Sequence, residues 1–265
     1  MFTKNQDIFY FCKKNFYMSG HNKWSTIKHK KGAADAKRSK LFSKIVKEIQ
    51  IAVKEGGPDA ETNPRLRVCL QNAKGANMPK ATIEKAISKA QQGTENYEEI
   101  TFEGYGPNGV AIFVECLSDN NNRTVSNIRA IFRKHNGTLG TKGSLSFIFD
   151  KKGVFTIPAE AINDEEEFEL EAIDSGAEEI EKVEDKIIVT TSFEDYGNMQ
   201  KKLESLGIEP ENTEAVLIPN TTKDVDVETA QKIMRMIDSF EDDDDVQNVF
   251  HNMEMTDEIM KALSE

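Results

Sequence analysis

Apolar side chains recur along the N-terminal third of the chain with the period of an α-helix. Between residues 35 and 55 they form one stripe, made of Leu41, Phe42, Ile45, Val46, Ile49, Ala52 and Val53. A Gly-Gly-Pro sequence at 56–58 ends this pattern. Asn63 and Pro64 are typical of a second helix start, as cap and first residue, and a third helical pattern covers 79–92. Three short amphipathic helices with short connections predict a helical bundle.

Beyond residue 96 the pattern alternates between strand and helix. Strands are predicted over 100–105, 110–117, 144–149, 153–157, 186–191, 215–219 and 246–251. Helices are predicted over 122–135, 164–175, 193–206 and 226–240. Such alternation, with short hairpins, is typical of α+β units in which helices cover a mixed sheet. We therefore expect an α+β multidomain protein, with the three-helix bundle followed by α/β domains.

Charge divides the chain near the same boundary. The whole sequence carries a net charge of −12. Residues 19–96 nevertheless contain 16 Lys or Arg against 7 Asp or Glu, whereas residues 97–265 contain 15 against 38. Asymmetry of this size indicates an acidic partner at the basic end, and the phosphate backbone of a nucleic acid is the obvious one.

The cations of the basic part lie in an arm and on a helix. The arm, residues 20–32, has no helical pattern and combines lysines and histidines with the only tryptophan of the chain. On the helix that follows, lysines fall opposite the apolar stripe, so we expect them to face solvent. The candidate nucleic-acid-binding residues are His21, Lys23, Trp24, Lys28, His29, Lys30, Lys31, Lys37, Arg38, Lys40, Lys44 and Lys47.

Two features leave alternatives open. Trp24 is suited to stacking on a base and equally to anchoring the arm against the bundle. A second group of cations lies opposite the apolar face of the predicted helix 122–135, and it either contacts nucleic acid or pairs with nearby carboxylates. This group consists of Arg123, Arg129, Arg133 and Lys134.

Little in the sequence indicates catalysis, a cofactor or a metal. Gly104, Gly106 and Gly109 match GxGxxG, but they lie between two predicted strands, which favours a turn over a phosphate loop. The three cysteines are far apart and form no CxxC pair, which is typical of free thiols in a reducing compartment. The carboxylate run 241–245 is expected to be a solvated connection. We expect a protein that is not an enzyme and needs neither cofactor nor metal.

No apolar run is long enough to span a membrane, and the first residues lack the features of a secretory signal. The cytoplasm is the expected location. Met18 stands directly before the basic arm, so residues 1–17 are expected to be an upstream extension, with a short targeting segment as the alternative.

Several segments resemble the YebC/PmpR family from Met18 onward, and residues 1–17 have no counterpart. The segments are GHNKWSTIKHKKGAADAKRSKLFSKIVKEI (20–49), NPRLR (63–67), NMPKATIEKAI (77–87), EGYGPNGVAIFVECLSDNNNRT (103–124) and MRMID (234–238). The resemblance implies a cytoplasmic protein of three domains, with one α/β domain inserted in another. The expected domains are a basic helical domain (18–95), a middle domain (96–152 with 213–265) and an acidic insertion (153–212).

The resemblance also implies a function, in two versions. The family is described as probable transcriptional regulators that bind DNA through the basic domain. Relatives that act on translation, among them a mitochondrial activator of cytochrome oxidase synthesis and bacterial members linked to ribosome stalling, imply the alternative. In that version the protein is a ribosome-associated translation factor whose arm contacts ribosomal RNA. The oligomeric state is left open.

Overall fold

The structure, a computed structural model, describes residues 34–93 and 96–264. The N-terminal helices are α1 (Ala34–Gly56), α2 (Pro64–Gly75) and α3 (Lys80–Gln91). They are followed by β1 (Glu98–Tyr105), β2 (Ala111–Ser118), α4 (Asn121–Lys134) and β3 (Thr138–Leu139). Next come β4 (Phe149–Pro158), α5 (Glu165–Asp174), β5 (Ala177–Val183), β6 (Lys186–Ser192), α6 (Tyr196–Ser205) and β7 (Asn212–Pro219). The described chain ends with α7 (Val227–Glu241), β8 (Val246–His251) and α8 (Asp257–Ser264).

The predicted three-helix bundle is confirmed. The apolar stripe of α1 packs against α2 and α3 in one cluster, whose buried members are Ile45, Ile49, Ala52, Val53, Leu66, Cys69, Ala73, Met78 and Ala86. Asn63 caps α2, and its side-chain oxygen accepts a hydrogen bond from the backbone N–H of Leu66 at 3.0 Å. Gly57 ends α1 with φ of +85°, a left-handed conformation that glycine adopts without steric cost.

The remaining strands form two four-stranded sheets. The first sheet has the order β3-β1-β2-β8 and the second has the order β5-β6-β4-β7. All the strand pairings within both sheets are antiparallel, so the expectation of mixed sheets is wrong. The reason is that strands joined through a helix do not become neighbours: β4 separates β6 from β7, and β6 separates β4 from β5. A helical crossover gives a parallel pair only when the two strands it joins lie side by side.

The two sheets stack, with helices outside them. One face of the first sheet packs against α4, α7 and α8 in a cluster that includes Ile112, Ile128, Phe132, Ile237 and Ile259. Its other face meets the second sheet in a cluster that includes Ala111, Val154, Ile188, Val216 and Phe250. The far face of the second sheet is covered by α5 and α6 in a cluster that includes Phe155, Val189, Phe168 and Met199. The α/β part is therefore a four-layer stack of helices, sheet, sheet and helices.

Some element predictions need correction. Residues 144–149, predicted as a strand, form consecutive turns up to Ile148, and β4 begins only at Phe149. Strands β3 and β5 and helix α8 were not predicted, because β3 has two residues, β5 is an edge strand rich in glutamate, and α8 is only two turns long. The second sheet spans 149–219, a wider range than the insertion expected at 153–212.

Replacing Asn63 by alanine should destabilise the bundle. The Asn63 side chain is buried, and its Nδ2 atom donates to the carbonyl oxygens of Ala52 at 2.7 Å and Gly57 at 2.8 Å. Loss of the cap and of both donors should lower the free energy of unfolding by about 2–3 kcal/mol in urea titrations. The matched control Thr62→Ala removes an exposed hydroxyl and should cost under about 0.5 kcal/mol. Equal unfolding midpoints for the two variants would contradict this role of Asn63.

Candidate nucleic-acid interface

One face of α1 docks onto the first sheet and onto the acidic turn that precedes β8. The Nζ atom of Lys44 donates to the backbone carbonyl of Gln247, the second residue of β8, at 2.6 Å. One turn earlier, Lys40 forms an ion pair with Asp242. The lysine face of α1 therefore lies against the rest of the chain.

Lys47 makes the most extensive of these contacts. Its Nζ atom donates to the backbone carbonyls of Asp244 at 2.7 Å and Leu117 at 3.2 Å, and it lies 3.4 Å from the Asp245 carboxylate. The same ammonium group stands 5.2 Å from the ring centroid of Tyr97. Only 13% of the Lys47 side chain is exposed, so this cation serves docking and is not available to a phosphate.

Asp245 joins this docking face to the start of α4. Arg123 donates to the Asp245 carboxylate from Nε at 3.1 Å and from Nη2 at 2.9 Å. The hydroxyls of Thr124 and Ser118 lie 2.9 Å and 3.1 Å from Oδ2, and both side chains are fully buried. Burial alone would raise the pKa of Asp245, but the hydrogen bonds from Arg123 and Thr124, with the nearby charge of Lys47, lower it below its usual value.

Two expectations about these residues are therefore wrong. The lysine arc does not face solvent at Lys44 and Lys47, and Lys40 is exposed but paired. The carboxylate run is not simply a solvated connection, because Asp245 is only 3% exposed. Helical periodicity places lysines opposite the apolar stripe, but it carries no information on which other domain covers that side. Ile51, on this second side of α1, is also buried.

The bundle also docks onto the second sheet, through α2. The side-chain amide of Asn72 accepts from the backbone N–H of Thr213 at 2.9 Å and donates to its carbonyl at 2.8 Å, as a neighbouring strand would. Thr213 lies in β7, an edge strand of that sheet. Asn72 therefore provides hydrogen-bond partners for a backbone N–H and a carbonyl that no neighbouring strand pairs. A Cβ atom at Gly75 would overlap the carbonyl oxygen of Glu211, so only glycine allows the two backbones to approach this closely.

Ion pairs accompany this contact. Lys74 pairs with Glu209, and Arg65 pairs with Glu55 within the bundle and with Glu99 in β1. Much of the positive charge of the folded bundle is thus matched by carboxylates of the acidic part of the same chain. The basic segment of the sequence therefore finds negatively charged partners within the same chain, in addition to any external partner.

The predicted arm lies outside the described residues. This applies to His21, Lys23, Trp24, Lys28, His29, Lys30 and Lys31, and also to the side chain of Lys37. The choice between the two interpretations of Trp24 therefore stays a prediction. Arg38 is described: it donates to the carbonyl of Asn77 at 3.2 Å and lies 5.2 Å from the ring centroid of Phe42.

The second predicted group of cations divides into two. Arg123 pairs with Asp119 and Asp245, as the carboxylate-pairing alternative expected. Arg129, Arg133 and Lys134 are exposed, and none of them forms an ion pair with a carboxylate of the described segments. These three form a positive strip along the outer face of α4, named here the α4 strip.

The glycine motif matches its sequence interpretation, and two of the three cysteines are described. Gly104 lies within β1, and residues 106–110 join β1 to β2 through a short 3-10 turn at Pro107–Gly109, with no α-helix there to receive a phosphate. Cys69 and Cys116 are buried free thiols, and burial raises the pKa of each to about 12. Within residues 34–93 and 96–264, no group of three or more His, Cys, Asp or Glu is arranged to hold a metal. None of the helices in those ranges has the length and apolar character needed to cross a bilayer.

The fold is that of an α+β multidomain protein with an N-terminal helical bundle. The TACO1/YebC protein N-terminal domain model matches residues 22–93, and the model of the TACO1/YebC second and third domain matches residues 97–253. The chain therefore belongs to the TACO1/YebC family.

Similar proteins cover nearly the whole chain. A relative named "Probable transcriptional regulatory protein" from Geotalea uraniireducens is 49% identical over 93% of this chain and 100% of its own length. One of the same name from Amoebophilus asiaticus is 48% identical over 89% of this chain and 98% of its own. The crystal structure of a conserved hypothetical protein from Aquifex aeolicus has a TM-score of 0.79 at 43% identity, covering 90% of this chain and 99% of that one.

Asp245→Ala should loosen the docking of the bundle. It removes one of the two carboxylates that pair with Arg123, the carboxylate beside Lys47 and one acceptor of the two buried hydroxyls, so we expect a loss of about 2–4 kcal/mol in the free energy of unfolding. Asp244→Ala, one residue earlier in the same turn, removes an exposed carboxylate and should cost under about 0.5 kcal/mol. Chemical denaturation of both variants measures the difference, and equal losses would refute the role assigned to Asp245.

Glu48 on α1 should make stability depend on pH. Burial raises the pKa of its carboxyl from 4.5 to about 7, and the positive charge of Arg65 only partly offsets this. A carboxyl whose pKa is raised on folding contributes stability below its unfolded pKa and loses that contribution as pH rises through the folded value. Stability should therefore fall between about pH 4.5 and pH 7, by up to about 3 kcal/mol. In Glu48→Gln this decline should flatten, and an unchanged pH profile would contradict the assignment.

Proposed function

We propose that this protein is a non-enzymatic regulatory protein that binds nucleic acid, and that it acts as a DNA-binding transcriptional regulator. The names of its relatives support a regulatory role. The observation that carries nucleic-acid binding is the α4 strip, three exposed cations without an ion-pair partner in the described chain. They stand out because the chain as a whole is strongly acidic.

The sequence around the α4 strip reinforces the proposal. Residues 120–149 contain five Lys or Arg and no Asp or Glu. Arg129 and Arg133 are one helical turn apart, about 6 Å along the axis. The residues of this tract would not repel the phosphate groups of a nucleic acid, because none of them is a carboxylate. The acidic surface elsewhere would repel them. Binding is thus oriented, with α4 towards the nucleic acid.

The α4 strip also has a purely structural use. Arg133 and Lys134 lie in the last turn of α4, where positive charge stabilises a helix by roughly 0.3–1 kcal/mol each. Arg129 lies in the middle of the helix and gains little from this effect. A helix-stabilising role therefore accounts for two of the three cations and leaves Arg129 unexplained.

One observation favours the alternative, a ribosome-associated translation factor that contacts ribosomal RNA. Polar side chains near the start of α4 would be needed to read base edges, but they are engaged within the protein. Asn121 donates to Glu98 at 2.8 Å, Asn127 donates to Asp243 at 2.8 Å, and Arg123 is held by Asp245. Contacts to phosphates remain, and these suit structured RNA as well as duplex DNA.

Neutralising the α4 strip should weaken nucleic-acid binding while the fold is kept. For Arg129→Ser/Arg133→Ser/Lys134→Ser we expect at least a tenfold loss of affinity for labelled DNA or RNA, with a shallower salt dependence, because phosphate contacts are removed. The control Lys182→Ser/Lys201→Ser/Lys232→Ser removes the same charge from exposed positions on other elements and should bind almost normally. If both triple variants lose affinity equally, only net charge matters and α4 is not the contact surface.

A second experiment separates DNA from ribosome. Affinity is measured near physiological salt for a defined promoter, for scrambled DNA of the same length, and for purified ribosomes by co-sedimentation. A promoter preference above about 10³ without ribosome co-sedimentation supports the regulator of transcription. Co-sedimentation that is lost in the α4 triple variant, with no promoter preference, supports the translation factor instead.

A further inference from the structure

The loop that follows β3 is held by a buried carboxylate. Glu103 in β1 is only 5% exposed, and its two oxygens accept from the backbone N–H groups of Gly143 and Leu145, each at 2.6 Å. The carbonyl of Glu103 also accepts from Gly140 at 2.7 Å. A buried carboxylate is unfavourable unless it is hydrogen-bonded. The hydrogen bonds that Glu103 accepts therefore fix the loop against β1.

The rest of the loop, residues 140–148, is fixed as well. Backbone hydrogen bonds close successive turns, from Ser144 to Thr141 at 3.1 Å and from Ile148 to Leu145 at 2.9 Å. Leu145 is fully buried between the two sheets, and Asn220 donates to the carbonyl of Phe147 at 3.0 Å. The backbone is therefore anchored on both sides of Phe147.

This rigid support presents an aromatic side chain to solvent. Phe147 is 70% exposed, the largest exposed fraction among the large apolar side chains of the described residues. Lys142 is exposed in the same loop, and the loop lies inside the tract 120–149 that has no carboxylate. Phe147 does not contribute to the hydrophobic core, because the side chain that this loop buries is that of Leu145.

We propose that Phe147 is a stacking platform for an unpaired base, with Lys142 contacting the adjacent phosphate. This inference rests on the proposed nucleic-acid function and names the substrate class, a nucleic acid with at least one unstacked nucleotide. Aromatic side chains stack on any base, and a preorganised platform loses little freedom on binding. The loop itself, residues 140–148, carries Lys142 and no Asp or Glu, so it suits a partner that presents negative groups beside a flat apolar surface, as the phosphates and bases of a nucleic acid do.

The experiment compares single-stranded and duplex probes on the full chain. The probes are a labelled single-stranded RNA of about sixteen nucleotides and the blunt duplex of the same sequence, titrated by fluorescence anisotropy. Phe147→Ala should weaken single-strand binding roughly tenfold and duplex binding less than twofold, because only unpaired bases can stack. Phe147→Tyr should bind normally. Phe193→Ala, which removes another exposed phenylalanine outside the tract, is the control and should change neither affinity.

A fluorescence variant gives an independent reading. In Trp24→Phe/Phe147→Trp the new indole is the single tryptophan of the chain, and single-stranded RNA should quench its emission while duplex should not. Unchanged single-strand affinity in Phe147→Ala, or equal losses for both probes, would overturn the stacking role. If the α4 triple variant still loses affinity in that case, the proposed function stands without it. If the wild-type protein binds neither probe nor duplex DNA nor ribosomes, both proposals fall together.

Discussion

The arrangement of the domains depends on one buried carboxylate. Asp245 lies in the turn before β8, and its carboxylate receives hydrogen bonds from the end of β2 and the start of α4 and lies beside a lysine of α1. A carboxylate so far removed from water is favourable only while its donors are in place. Because Lys47 belongs to the bundle and Arg123 to the first sheet's own helix, this group couples the folding of the two parts. The position of the basic bundle on the acidic body is thus set by charge as well as by shape.

That coupling changes the meaning of the charge asymmetry. Lysines that would suit a phosphate backbone are used inside the molecule: Lys44 and Lys47 contact backbone carbonyls, and Lys40 and Lys74 pair with carboxylates of the acidic part. A strongly acidic protein can still offer a positive surface where exposed cations are not paired with carboxylates, and the α4 strip is such a place among the described residues. Among the described candidate cations, the exposed ones without an ion pair to a carboxylate therefore include the three of the α4 strip, while the arm stays a prediction.

The stacking of the two sheets further limits which surfaces are open to a nucleic acid. The second sheet has a βαββαβ order, and in RNA-recognition modules a four-stranded sheet of this type offers one open face with aromatics for bases. Here that face carries Val154, Ile188 and Val216 and is buried against the first sheet. The second sheet cannot use it for nucleic acid. Among the described residues, this leaves loops and helices for any contact with a base, and Phe147 lies in one of these loops.

Local patterns in the sequence determined most of the elements. Short-range periodicity predicts the apolar stripe from Leu41 to Val53 and the strand 246–251, and capping chemistry predicts the role of Asn63. The structure confirms all three. Gly106 and Gly109 lie in the turn that the flanking strand patterns predict, whereas Gly104 is the penultimate residue of β1. Such patterns show which side of an element is apolar. They give no information on what packs against its other side.

Only the tertiary structure decided which charges are free. Lys47 and Arg129 look alike in sequence, each a cation opposite an apolar stripe, yet one is enclosed by Asp244, Asp245 and Tyr97 and the other is exposed. Likewise Asp244 and Asp245 are neighbours in one acidic run, and only the second is buried. Strand order and the antiparallel pairing were also beyond local patterns, since they depend on which distant strands become neighbours. The physical reason is the same in each case: burial and pairing are properties of contacts between segments far apart in the chain, which a local pattern does not record.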